Sequence, residues 1–474
     1  MNSRPSLSAR RSRRVVPPGR RRRGGGACEV PDEAPGGVPG AAPGGAVEPG
    51  GVGRAAVAAP LAAVAALGAI ESTISILLYV VVPGARSRCW TPHSASTVTL
   101  SSIHLKNPSR SCLGGCVRIS PVKRIRTVPS APGSRSLRVA VLGYWHVHAD
   151  DYAQTVVAHP GTELVAVWDD DAERGRAAAE RLGVPFEPDL TALLSESGAE
   201  GVGPVDGVTV TTSTVAHREV IGAAVRAGKH VFTEKLLAPT VAECEELLTE
   251  AERTGAVVVV SLPRLYEGYT AAVRDVVESG RLGCITYARV RLSHEGAVTR
   301  WLPDRFFDPA PSIGGALTDL GCHPVYLVQL LLGARPERVT ATYTAVTGRD
   351  VEDNAVVVAS YPSGAIGVVE AGFASPTPFT IDVFGTEGTV SWTDTPRRLT
   401  ATGAAFHSQD DGGGSGSPVE LPVPEDSPGA FAQWVDHISA GTRADDNTAR
   451  AVELTRLVVA ANRAAAEQRA VELD

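Results

Sequence analysis

Lysine is nearly missing from most of this chain: residues 136–474 hold only Lys229 and Lys235, while arginine is abundant there. Cation positions that tolerate a guanidinium have been filled with one. A lysine that remains stands where a compact ammonium with an adjustable pKa is wanted, or where chance left it. Methionine is scarcer still, since Met1 is the only one, so an alternative non-Met start would look like an ordinary Val or Leu. Cysteine is sparse too. Of seven, Cys28, Cys89, Cys112 and Cys116 fall early, and Cys244, Cys284 and Cys322 later. Cys112 and Cys116 lack a second Cys/His pair at zinc spacing, which argues against a metal centre. Three unpaired cysteines in the later part suit a reducing cytoplasm.

Acids are rare in residues 1–135, where 17 Arg and 2 Lys face 5 acids, net +14; the remainder carries 26 basic and 47 acidic residues, net −21. The early stretch is rich in Arg, Gly, Pro and Ser, with Arg20 to Arg23 followed by Gly24-Gly25-Gly26, and cannot bury enough apolar surface to fold alone. It reads as a disordered leader, or as upstream sequence joined by a wrongly chosen start, which the mass of the natural protein would decide. Its apolar run from Ala55 to Val82 could span a bilayer, but Glu71 near the middle costs about 2.5–3.5 kcal/mol on insertion scales. The pairs Arg10-Arg11 and Arg13-Arg14 sit too far ahead of that run for an export signal. The acidic remainder argues against nucleic acid as a partner.

From Ser136 onward, short apolar runs alternate with helical periodicity. Strands are expected at Leu137 to Leu142, Leu164 to Trp168, Gly207 to Thr211, His230 to Thr233 and Ala256 to Ser261, with helices between them. Short loops and this alternation predict a parallel α/β sheet of the Rossmann type over residues 136–262. After a linking helix from Tyr266 to Glu278, β-branched runs separated by Gly- or Pro-containing turns predict an α+β domain over 263–474 with an open, mainly antiparallel sheet. Such a sheet leaves one face free to pair with another subunit, so a homo-oligomer is expected.

A dinucleotide fold opens with a strand, a Gly-rich turn and a helix N-terminus that takes the pyrophosphate. Here the turn reads Gly143-Tyr144-Trp145-His146-Val147-His148, so only the first glycine of G-x-G-x-x-G is present, with Trp145 and His148 in the other places. Asp169, at the end of the second strand, would accept from ribose hydroxyls and repel a 2′-phosphate, which favours NAD over NADP. His146 and His148 share a face of an extended segment, but no acidic ligand lies within the turn, so no metal is expected.

Chemistry is expected at two further places. Ala227 to Lys235 reads as a helix C-cap, a short strand, and Glu234 and Lys235 delivered at its carboxyl end, where a doubly wound sheet has its crevice. Asp319 and His323, four apart, would share one face of a helix starting near Gly315, with Pro324 removing one helical hydrogen bond and tilting His323 outward. An imidazole has a pKa suited to taking a hydroxyl proton, an ammonium can polarise the same oxygen, and a carboxylate can orient both.

Gly143 with Asp169, Thr212 to His217, the stretch Ala227 to Lys235 and the stretch Gly314 to His323 occur in an order that resembles the Gfo/Idh/MocA oxidoreductases, from about Leu137 to the C-terminus. The resemblance implies an N-terminal Rossmann domain, a C-terminal α/β domain, bound NAD(P), and redox chemistry on sugars or cyclitols. It implies catalytic roles for Lys235, Asp319 and His323, and coenzyme contacts at Gly143, Trp145, His146, Asp169, Thr212, His217 and Glu234. Three positions depart from the family's habit: Leu236 where Pro usually follows the Glu-Lys pair, Ser213-Thr214 in place of Pro-Asn, and Tyr326 in place of an Asp. The expected activity is an NAD-preferring dehydrogenase of a polyhydroxylated small molecule. The alternatives are NAD-dependent glycoside cleavage and a catalytically silent nucleotide- or ligand-binding module.

Overall fold

The structure, a computed structural model, describes residues 135–376, 378–407 and 416–473. The readings that concern the first 134 residues, the apolar run and Cys112 with Cys116 among them, lie outside the described residues, as does most of the polar loop 408–417. No helix among the described residues is long and apolar enough to cross a membrane.

Five short apolar runs build the first layer. β1 (Leu137–Leu142), β2 (Thr162–Trp168), β3 (Gly207–Val210), β4 (His230–Thr233) and β5 (Val258–Val260) form a parallel sheet in the order β2-β1-β3-β4-β5. Between them run α1 (Ala149–Ala158), α2 (Ala172–Leu182), α3 (Leu190–Leu194), α4 (His217–Arg226) and α5 (Val241–Thr254). The helix ends follow from local chemistry. Asp171 accepts from the Glu173 and Arg174 N–H groups to start α2, Gly183 closes it in the left-handed region, and Thr240 with Glu243 makes a reciprocal capping box at α5.

The strand order positions the site. The chain winds outward from β1 to β2, then crosses back to β3 and continues the other way, so the loops leaving β1 and β3 diverge and open a crevice at their carboxyl ends. The two loops are fastened to each other: the Thr211 N–H donates to the Leu142 carbonyl at 2.9 Å, and the Thr211 hydroxyl donates to the Gly143 carbonyl.

α6 (Gly268–Glu278) leads to β6 (Ile285–Ser293), the centre of a nine-stranded sheet. Before the next strand come two short helices, α7 (Gly296–Thr299) and α8 (Pro309–Ser312), and the apolar α9 (Cys322–Leu332). β7 (Arg338–Thr344), β8 (Asn354–Ser360), β9 (Ile366–Gly372), β10 (Thr380–Gly385), β11 (Gly388–Asp394), β12 (Arg397–Gly403) and β13 (Val419–Glu420) follow. The helices α10 (Ala430–Ala440) and α11 (Asp445–Glu467) and the strand β14 (Val471–Glu472) end the chain. The sheet runs β13-β12-β11-β10-β6-β9-β8-β7-β14, antiparallel throughout except for β6 beside β9. Alternation sorts its faces. Ala288, Val290 and Leu292 of β6 turn inward toward α9, while Arg289 and Arg291 turn outward and both pair with Glu370, at 2.7 and 2.9 Å.

The last two helices, grouped by the sequence with the second sheet, brace the first one. Trp434 of α10 is fully buried against Gly207, where a Cβ would stand 2.9 Å from the indole, and its Nε1 donates to the Val257 carbonyl. The Asn447 side chain accepts from the Val260 N–H and donates to the Val260 carbonyl, taking the place of a strand partner at the sheet's edge.

Candidate active site

β4 ends at Thr233, and Glu234 and Lys235 follow it into the crevice. Lys235 Nζ donates to Asp319 Oδ1 at 2.7 Å and lies 3.7 Å from Glu234 Oε2, although 84 residues separate lysine and aspartate in sequence. Burial alone would discharge the lysine, but the Asp319 and Glu234 carboxylates outweigh it and hold the ammonium pKa above its ordinary value. Burial likewise opposes both carboxylates, and Lys235 overrides it, so Asp319 and Glu234 stay ionised well below the usual carboxylate range. The peptide that follows, Lys235–Leu236, is cis.

Asp319 arrives by a different route from the one expected. α9 begins at Cys322, and Asp319 sits in the turns that precede it, so Asp319 and His323 do not share the face of one helix. The turns need glycine: a Cβ on Gly315 would lie 2.1 Å from the Glu352 carbonyl, and the Glu352 carboxylate accepts from the Gly315 and Leu317 N–H groups. Pro324 falls in the first turn of α9, where an N–H would have no helical partner, so it costs no helical hydrogen bond and tilts nothing. His323 stands at the helix start, 7% exposed, with Nδ1 2.9 Å from the Tyr326 hydroxyl. Burial, and then the charges of Lys235 and Arg264, hold its pKa well below the ordinary imidazole value, so it is neutral.

His146 and His148 belong to this same cluster. His146 Nε2 is 3.3 Å from Asp319 Oδ1, His148 Nδ1 is 2.8 Å from Glu234 Oε1, and the Tyr152 hydroxyl donates to that same oxygen at 2.7 Å. His146, expected among the coenzyme contacts, also reaches the catalytic candidate Asp319. The donor atoms of His146, His148 and Glu234 lie within 4.8 Å of one another, close enough for a cation. Hydrogen bonds already account for them: His146 Nδ1 accepts the His148 N–H, and Glu234 Oε1 accepts from both His148 and Tyr152 beside the Lys235 ammonium.

On the dinucleotide side the crevice fits the expected occupant. Gly143 has φ +90°, and a Cβ there would stand 2.5 Å from Thr212 Cγ2, so only glycine lets these loops meet. The Thr212 hydroxyl is buried with no partner among the described residues. His217 donates from Nδ1 to the Leu236 carbonyl, which leaves Nε2 buried and unpartnered, and burial lowers its pKa to about 4. A cavity of about 980 Å³ runs past Trp168, Asp170, Leu190, Thr212, Ala216 and Ala223.

Two expected contacts are redirected. The Trp145 indole turns to the second domain: it is 8% exposed, stacks on Phe306 at 4.7 Å and joins Leu302, Phe307 and Phe373. Its own N–H and that of Val147 have no partner among the described residues. The Asp169 carboxylate is already saturated, accepting from the Tyr144 and Asp171 N–H groups at 2.6 and 2.7 Å and from Arg174 Nε and Nη2 at 3.0 and 2.6 Å. Asp170, one residue on, is exposed, lines the cavity and accepts from Arg174 Nη2 at 2.7 Å through Oδ1; three successive aspartates give no sequence signal to tell it from Asp169.

Residues 137–262 match the oxidoreductase family with an NAD-binding Rossmann fold, and residues 270–391 match the GFO/IDH/MocA C-terminal domain. The chain belongs to the Gfo/Idh/MocA oxidoreductase family. Its first domain is therefore of the NAD-binding kind. The chain is 30% identical over 233 residues to 1,5-anhydro-D-fructose reductase of Ensifer adhaerens, covering 48% of this chain and 68% of that one. It is 31% identical over 225 residues to dTDP-3,4-didehydro-2,6-dideoxy-alpha-D-glucose 3-reductase of Streptomyces violaceoruber, covering 47% of this chain but only 63% of that one. The crystal structure of GenD2 from gentamicin A biosynthesis in complex with NAD superposes with a TM-score of 0.60 at 27% identity, covering 73% of this chain and 99% of GenD2.

Proposed function

We propose that this protein transfers a hydride between NAD and the hydroxyl-bearing carbon of a sugar, cyclitol or related polyol. The observation that carries the reading is the Lys235–Asp319 contact of 2.7 Å at the end of β4, with neutral His323 beside it. A catalytically silent module has no need to bury an ammonium and a carboxylate together with a second, half-buried carboxylate beside them, because burying charge costs desolvation. The two named relatives reduce sugar derivatives, which supports a polyol or its ketone as substrate.

When bound, the nicotinamide accepts or supplies the hydride. The protein's own groups do the rest. Gly143 allows close backbone approach, the Trp145 and Val147 N–H groups meet phosphate, and Thr212 offers its unpartnered hydroxyl. Lys235 holds the substrate oxygen, Asp319 fixes Lys235, and His146 fixes Asp319. The test is direct: NAD+ is added to the purified chain with a panel of sugars and inositols, and nicotinamide absorbance is followed. Reduction with a polyol is expected; no coenzyme binding and no turnover across the panel would refute the proposal.

Arg174 holds both carboxylates, but Asp169 is buried with both oxygens filled, whereas Asp170 is exposed on the cavity and gives Arg174 only Oδ1 at 2.7 Å, so ribose recognition falls to Asp170 Oδ2. A hydrogen bond to a charged group contributes about 1.5–3 kcal/mol. Asp170→Ser is therefore expected to weaken NADH binding about tenfold and to strengthen NADPH binding, since a repelling charge near the 2′ position is gone. Fluorescence titration with both reduced coenzymes measures this, and an unchanged ratio of affinities would return the role to Asp169.

A further inference from the structure

Tyr326 is a buried hydroxyl, 1% exposed, with two hydrogen-bond partners among the described residues. One is the Arg264 backbone N–H at 3.1 Å, which can only donate. The other is His323 Nδ1 at 2.9 Å. The Arg264 guanidinium is engaged elsewhere, donating to the Tyr269 hydroxyl at 3.0 Å and lying 4.1 Å from the Phe379 ring centre. The hydroxyl hydrogen of Tyr326 therefore has one acceptor within reach, the Nδ1 lone pair of His323. If Nδ1 carried the hydrogen instead, the oxygen would accept twice and its own hydrogen would be buried without a partner, a penalty that favours the first arrangement by about tenfold or more.

We infer that Tyr326 fixes His323 as the Nε2–H tautomer, so that the imidazole presents a hydrogen-bond donor, and no basic lone pair, to the substrate oxygen. His323 Nε2 makes no hydrogen bond within the protein among the described residues and is free for that contact. The ring is neutral as well: Lys235 and Arg264 face it with positive charge, Glu234 and Asp319 with negative charge, and burial and the cations prevail. A neutral imidazole already protonated at Nε2 cannot take a hydroxyl proton there. The proton then passes through Lys235: the Nζ–H bond breaks as an oxygen with developing negative charge uses its lone pair to form O–H, and neutral Lys235 remains against Asp319. In the opposite direction neutral Lys235 takes the hydroxyl proton onto its Nζ lone pair as the O–H bond breaks; because the Asp319 and Glu234 carboxylates raise the ammonium pKa, that neutral form grows with pH and alcohol oxidation is expected to quicken as pH rises. Tyr326 is thus a positioning residue that makes His323 an electrophilic partner and leaves proton transfer to the ammonium. This division of labour rests on the oxidoreductase reading, whereas the tautomer does not.

The experiment is long-range 1H–15N correlation on the full chain labelled at histidine, with the His323 signals assigned by their loss in His323→Asn. The wild type is expected to show the Nε2–H pattern. Tyr326→Phe, which removes the donor, is expected to move it to a mixture, and Tyr326→Asp, whose carboxylate accepts from Nδ1, to the Nδ1–H pattern. Tyr326→Asp is also expected to add an acidic limb in the imidazole range to the pH profile of alcohol oxidation, absent in the wild type. A wild-type Nδ1–H pattern, or no change in Tyr326→Phe, overturns the proposal. If the variants do not fold, the wild-type spectrum decides alone. It is recorded without substrate, so a failure of the polyol panel and a failure of the tautomer are told apart.

Discussion

Replacing Lys235 by Met is expected to lower turnover by about a thousandfold, within the range that a positioned proton-transfer group contributes, while NADH binding changes by no more than a few-fold. The lysine touches Asp319 and Glu234, and none of the groups expected to hold the adenosine half, so coenzyme affinity is the internal control. A second effect accompanies the first. Removing one member of a buried ion pair leaves the other uncompensated and costs about 3–5 kcal/mol, here with two carboxylates left facing each other. Lys235→Arg is expected to recover much of the stability but little of the turnover, because a guanidinium matches the charge yet does not give up a proton. Steady-state kinetics, coenzyme titration and urea unfolding of the two variants separate these effects. Turnover within tenfold of wild type in Lys235→Met would remove the lysine from the chemistry.

Stability is expected to fall steeply as pH drops from about 6.5 toward 4. Burial lowers the pKa of His217 to about 4, and burial also depresses His146 and His323. In the unfolded chain these histidines bind protons below about pH 6.5. The unfolded state therefore holds more protons than the folded one across this window, and stability rises with pH there. His217 contributes about 1.4 kcal/mol per pH unit across this window, a noticeable share of a typical 5–15 kcal/mol, and His146 and His323 add to it in the same direction. His159, His230, His294 and His437, less buried, push the same way with smaller weight. His148 opposes them: burial lowers its pKa, but the Glu234 bond outweighs that and raises it. Asp319 and Glu234 are depressed below their unfolded values, so their contributions are whole above about pH 4.3 and are lost progressively below it, and that of Lys235 is lost only above its unfolded value near 10.4. The histidines, not the ion pair, set the acid limit. Urea midpoints at pH 7, 6 and 5 measure the slope, and a flat profile would contradict it.

What was legible in the sequence was whatever a local pattern encodes. β1 and β4 begin and end where apolar runs and their punctuation predict, because β-branched stretches and the glycines beside them act within a few residues. Lys235 and Asp319 were readable as a pair through the family resemblance, though not through helical spacing. The expected helix from Gly315 failed because Gly314 and Gly315 serve contacts with Thr318 and Glu352 rather than a helix start. Partner choice was hidden throughout. That Arg174 would consume Asp169, that His146 would reach Asp319, or that Tyr326 would meet His323 beneath an Arg264 N–H depends on tertiary neighbours no periodicity records. The edge strands β12, β13 and β14 went unread for a related reason, since two are only two residues long and the third is rich in Arg and Thr.

The stacking of Trp145 on Phe306, joined by a hydrogen bond from Arg305 Nε to the Trp145 carbonyl, rivets the mouth of one half of the molecule to the flank of the other. Jaws that must gape to admit a cargo would have to tear an aromatic seam apart at that point. That seam favours a crevice already set to width, and scattering curves of the bare and NAD-loaded chain are expected to superimpose.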